Sequence, residues 1–107
     1  MEVSYGAMLI AKERSRQVEE EGWTDKHDDG HTTGDLARAG ACYAFDYIGE
    51  VYNDEGCDQV GGDFWPWGGG TMRTMPEMKT SPDNAIRQLT KAGALIAAEI
   101  DRLHRFR

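Results

Sequence analysis

Apolar positions return at helical spacing in three stretches of this chain, and no useful length alternates in the two-residue rhythm of a strand. In the first stretch Val3, Ala7, Ile10, Arg14 and Val18 fall on one face at three- and four-residue steps. This predicts a helix over residues 3–21, with Gly22 placed to end it. In the second, Leu36, Ala39, Tyr43, Tyr47 and Val51 form an apolar stripe beside Ala37, Gly40, Ala41 and Ala44. Those small residues let another helix approach closely. The predicted span is 33–53, with Thr32 and Asp35 at capping-box spacing. In the third, Ser81-Pro82-Asp83 reads as a cap, a first helical position and an acid in the first turn. Ile86, Leu89, Gly93, Ile96, Ile100 and Leu103 then alternate steps of three and four, which is a heptad seam. Arg102, His104, Arg105 and Arg107 suit the negative end of that helix, predicted over 82–105.

Between the second and third helices, residues 54–80 carry Trp65-Pro66-Trp67 among six glycines, then Met72, Met75 and Met78. Pro66 and the glycines oppose a helix or a central strand there, and a loop of this length tends to be functional. The expected fold class is therefore all-α: a single small three-helix domain over 1–107, with a long aromatic, Gly-rich loop between helices two and three.

Composition narrows the partners. The chain has 107 residues and a formal net charge of −7, which argues against binding duplex nucleic acid. It leaves room for a small anion in a local basic pocket. No apolar run approaches membrane-spanning length, so no membrane partner is expected. Met1-Glu2-Val3-Ser4-Tyr5 lacks the basic and apolar regions of a secretory leader, which makes the cytoplasm the expected location. In that compartment Cys42 and Cys57 are expected as free thiols.

The chemistry-bearing residues concentrate in the link 19–36, where Trp23, His27, Asp28, Asp29 and His31 lie between two helices. A connection that only turned the chain would need neither the indole nor the imidazoles. Glu20, His27, Asp28, Asp29 and His31 are the candidate ligands for a divalent metal, imidazole and carboxylate together suiting zinc, manganese or iron. The alternative is a polar turn in which Asp28 and Asp29 make Asx-turns around Gly30. Beyond that candidate divalent metal, no cofactor is expected. Trp23, Trp65 and Trp67 are candidate stacking faces for a base, and a large ring can equally fill an alanine-rich core. Lys12, Arg14, Arg16 and Gln17 on helix one, with Arg87 and Lys91 on helix three, are candidate phosphate contacts. Arg14 lies on the apolar face and calls for an anion, which could be Glu20, Asp28, Glu99 or a bound phosphate. The predicted helices lack the Glu-x-x-Glu and Glu-x-x-Asp pairs that hold magnesium in MazG-type pyrophosphohydrolases: Glu50 is followed by Asn53, Glu99 by Arg102 and Asp46 by Gly49. Neither serine nor cysteine sits in a nucleophile elbow, and no catalytic residue is assigned.

Taken in order, Glu13-Arg14-Ser15-Arg16-Gln17, Glu21-Gly22-Trp23-Thr24, His27-Asp28-Asp29-Gly30-His31, Gly34-Asp35-Leu36-Ala37, Trp65-Pro66-Trp67 and Leu89–Ile100 resemble a group of small accessory proteins of tailed phages and prophages. A slighter likeness, through Gly22-Trp23, Asp28-Asp29, His31 and Tyr43, is to the RyR-type helical domain, for which nucleotide-derived ligands have been proposed. The first resemblance implies a protein acting in the cytoplasm of an infected bacterial host. It also implies a counter-defence sponge that binds a nucleotide-like immune signal without turning it over. On this reading Arg14, Arg16, Gln17, Trp23, His27, His31, Trp65 and Trp67 bind the ligand. The expected assembly is a homo-oligomer joined through helix three. Two alternatives stand beside it: a divergent metal-dependent, MazG-like nucleotide pyrophosphohydrolase, and an acidic inhibitor of a host protein.

Overall fold

A computed structural model describes residues 2–52 and 82–107. Among them every regular element is a helix, so the chain is all-α. There are four helices where periodicity predicts three: α1 (Tyr5–Glu20), α2 (Asp25–Asp29), α3 (Asp35–Tyr52) and α4 (Pro82–Arg105). The predicted loop 54–80, with Trp65 and Trp67, and Cys57 and the Ser81 cap lie outside the described residues. None of the described helices is long and apolar enough to cross a membrane.

The local chemistry sets the helix ends. Ser4 caps α1, its Oγ accepting the Ala7 N–H at 3.1 Å, so the helix starts two residues later than the apolar pattern suggests. Gly22, at φ +73°, turns the chain out of α1, and the Gln17 carbonyl accepts from both Glu21 and Trp23. Thr24 then caps the short α2, its Oγ1 accepting the His27 N–H. Gly34 at φ +80° leads into α3, where its carbonyl accepts the Arg38 N–H. Gly34 thus replaces Thr32 at the expected cap. Asp35 is held instead by the Thr33 hydroxyl, which donates to it at 2.8 Å, and by the His31 ring.

The core lies between α3 and α4. Leu36, Ala39 and Tyr43 pack on Ala92, Leu95 and Ala98, with Trp23 and Ala44 against their edge. The small residues of α3 do what the pattern predicts. A Cβ on Gly40 would stand 3.0 Å from the Ala92 carbonyl oxygen and 3.0 Å from Ile96 Cγ1. On α4, Gly93 serves α1 in the same way, since a Cβ there would overlap Ile10 Cδ1 at 2.5 Å. α1 itself is thinly buried. Ala7 and Val3 of its expected face are exposed, and Gln17 is its one buried residue. Cys42 is buried.

The orientation of α4 matters below. The inward face is Gln88, Ala92, Leu95, Glu99 and Arg102, all buried, together with Ala94 and Ala98. The heptad seam faces outward, with Ile100 60% and Leu103 54% exposed.

Candidate functional site

Two regions gather the residues singled out in the sequence. The first is the link between α1 and α3. Thr24 and the acids of α2 fold residues 25–29 into one helical turn, which carries Asp28 back over α1. There Asp28 is fully buried, accepting from Arg14 Nη2 at 3.3 Å and facing His27 Nδ1 at 3.0 Å. The Trp23 ring lies parallel to His27, centroids 5.8 Å apart, and His27 meets His31 edge-on at 4.8 Å. His31 Nδ1 in turn lies 3.1 Å from Asp35 Oδ2. The Thr33 hydroxyl, with help from His31, holds the Asp35 carboxyl below its ordinary value and outweighs the opposing effect of burial. On the far side of α2, Arg105 donates to Asp29 at 2.6 Å and pairs with Asp25 at 3.2 Å; the Asp29 contact holds its own pKa above the ordinary value.

This arrangement assigns Arg14 its anion: of the three carboxylates in reach of the sequence argument, Asp28 is the partner, with Asp101 more distant at 3.9 Å. Arg14 Nη1 remains buried without a hydrogen-bond partner among the described residues. The five candidate metal ligands do not converge. Asp28 is taken by Arg14 and His27, Asp29 by Arg105, and Glu20 faces Arg16 at 3.5 Å on the exposed side of α1. Among the described residues no group of three histidine, cysteine or carboxylate side chains could hold a metal ion.

The second region is a groove of about 400 Å³ between α1 and the first half of α4. Tyr5, Leu9 and Ile86 form its apolar wall, and Lys12, Arg16, Arg87 and Lys91 bring four cations against the two acids Glu13 and Asp83. Steps of four along each helix produce it: Tyr5, Leu9, Glu13 on α1 and Asp83, Arg87, Lys91 on α4 share facing sides. Burial alone would raise the Glu13 carboxyl. The fork of Arg16, donating to both Glu13 oxygens at 2.8 Å, and Gln17 outweigh burial and hold it below its usual value. Arg16 also reaches Glu21 at 3.0 Å, with Glu20 farther off at 3.5 Å, and its hydrogen bonds to Glu13 first and Glu21 second push its pKa upward. Among the described residues, Lys12 and Arg87 are tied into no ion pair, which leaves their charge available to a bound anion. Beside the groove, Trp23, Tyr43 and Leu95 meet Glu13, Arg16, Gln17 and Lys91 around a small hollow of about 50 Å³.

The predicted ligand-binding set is therefore divided. Arg16 belongs to the groove. Arg14, His27 and His31 belong to the link, and Gln17 and Trp23 lie between the two. Tyr5, Leu9 and Thr90 are not singled out by the sequence pattern and Ile86 only as part of the heptad seam, although the four-residue steps from Tyr5 to Leu9 and from Ile86 to Thr90 lie beside the basic residues. No family model, no curated protein and no solved structure matches this chain.

Proposed function

We propose that the chain binds a small, nucleotide-like anion without chemically altering it, and that the groove between α1 and α4 is where it binds. One observation carries this reading. In a protein of net charge −7, four of the twelve lysines and arginines line one groove, against an apolar wall that includes a tyrosine ring. A cationic edge beside a flat apolar face matches a phosphate joined to a base. Lys12 and Arg87 supply the charge most available to the phosphate, Lys91 adds to it, and Arg16 is released only if the ligand displaces a carboxylate. Tyr5 offers the stacking face in the described part of the chain. The ion-paired link takes the supporting role, holding α1, α2 and α4 at one end of the groove. The resemblance to phage accessory proteins suggests the biological use, a sponge for a nucleotide immune signal.

Native mass spectrometry of the purified chain with a panel of cyclic and linear nucleotides tests this. The expected result is a stoichiometric adduct with the mass of the intact nucleotide, weakened tenfold or more by Lys12→Ala with Arg87→Ala. Conversion of the nucleotide to a lighter product, with metal bound, would establish the hydrolase alternative instead. An adduct that survives the double substitution would move the site away from the groove.

A further inference from the structure

The helix α4 carries two seams, and the more apolar one is on the outside. Inward are Gln88, Ala92, Leu95, Glu99 and Arg102; outward are Ile86, Leu89, Ile96, Ile100 and Leu103, between 39% and 60% exposed. Those five side chains expose on the order of 450 Å² on one helix, at or above the few hundred Å² that monomers usually leave bare. Burying three polar side chains while exposing five aliphatic ones is the wrong way round for an isolated domain.

The shape of the surface indicates what covers it. Along the first half of α4 the seam lies in an apolar trough of about 240 Å³, walled by Tyr5, Gly6, Leu9 and Ile10 of α1. Along the second half it stands out as a ridge, Ile100 and Leu103 being its most exposed members. We propose that a second copy of this chain covers the seam, its α4 antiparallel to the first, so that each ridge enters the other's trough. The alternation of three- and four-residue steps reads the same in reverse. Ile86 then faces the partner's Leu103 and Leu89 the partner's Ile100, while Ile10 covers Gly93 and meets the partner's Ile96 in its place. Such a contact is self-complementary, as a two-fold interface must be.

Charge and area favour the same partner. Asp83 lies at the start of α4, and His104 and Arg107 at or just beyond its end. Antiparallel pairing sets acid beside base at both ends and opposes the two helix dipoles; parallel pairing would bring the basic ends together. A stable interface takes roughly 800 Å² from each partner. The seam supplies about half of that, and the exposed Tyr5 and Met8 beside the trough extend it. Two chains of net charge −7 repel at long range, so added salt should strengthen the dimer. The seam borders the basic groove and shares Tyr5, Leu9, Ile86 and Thr90 with it, whereas Ile100 and Leu103 do not line the groove, so Ile100→Asp tests the dimer separately from the ligand reading.

Light scattering on the eluting full-length chain, with sedimentation equilibrium, reads the mass directly. Wild type is expected as a dimer. Leu89→Lys and Ile100→Asp are each expected as monomers with unchanged far-ultraviolet helicity, since both side chains are exposed. The Leu89→Lys/Ile100→Asp double variant is expected to regain dimer mass, because the antiparallel order places each lysine opposite an aspartate. A monomeric wild type would overturn the proposal. A dimer indifferent to Ile100→Asp would overturn it, and a double variant that stays monomeric would overturn the antiparallel order.

Discussion

Replacing Asp28 by alanine should remove a large part of the stability of this chain. The Asp28 side chain is 1% exposed and the Arg14 side chain 15%, and Arg14 already has one nitrogen without a hydrogen-bond partner. Without the carboxylate, the nearly buried guanidinium keeps only the exposed Asp101, 3.9 Å away, as an anion, and His27 loses the acceptor that fixes its ring under Trp23. Removing one member of a buried pair costs about 3–5 kcal/mol. The Arg14 contact, at 3.3 Å, is longer than a tight charge-assisted bond, so the lower figure, about 3 kcal/mol, is the expectation. Against a total stability of roughly 5–15 kcal/mol this is a large fraction, and at 4–8 °C per kcal/mol it lowers Tm by about 12 °C or more. Chemical denaturation followed by tryptophan fluorescence measures it. Arg14→Met alone strands the carboxylate and should cost a similar amount. Arg14→Met with Asp28→Ala should cost well under the sum, since neither charge is then left alone. A loss below about 1 kcal/mol for Asp28→Ala would place the pair among exposed salt bridges and refute the reasoning.

Two further expectations concern packing and pH. Gly40→Ala should destabilise by about 1–2 kcal/mol despite the better helix propensity of alanine, because the new Cβ meets the Ala92 carbonyl, which is backbone and cannot turn aside; a thermal melt at or above wild type would contradict the close approach of α3 and α4. Glu13 and Asp35 are both held below their ordinary values of 4.5 and 3.8, so the folded state binds fewer protons than the unfolded one in that range. Their contribution is complete above the unfolded values and is lost as pH falls through the lowered ones. Denaturation midpoints should therefore stay level down to about pH 5 and decline below it, less steeply in Glu13→Gln; an equally steep decline in that variant would remove Glu13 from the account.

How much of this could be read from the sequence depends on what kind of signal each feature leaves. The three long helices are legible because periodicity persists over many turns, and the end at Gly22 and the start at Pro82 have steric causes. The helix α2 was not, since five residues give no period. Its cap Thr24 and the acids Asp25 and Asp28 were visible, but Asp28-Asp29-Gly30 reads equally well as a turn. Arg14 was recognised as needing an anion, and the choice among Glu20, Asp28 and Glu99 waited on the direction in which α2 returns. The α4 pattern identified which residues share a side without saying which side turns inward. Gln88, Glu99 and Arg102 go inside partly because Glu99 and Arg102 satisfy one another. The groove combines residues from opposite ends of the chain, so only their separate four-residue steps were on view.

The two glycine contacts around α4 have a consequence for association. At Gly40 the backbone of α3 is pressed against α4, and at Gly93 the backbone of α4 is pressed against Ile10 of α1. A helix seated this way on both flanks cannot roll about its own axis without a collision on one side. Its outward stripe is therefore held at a fixed azimuth before anything binds. Whatever docks there meets a template that surrenders little rotational freedom on contact, and the usual entropic penalty of ordering a mobile surface falls mainly on the other party.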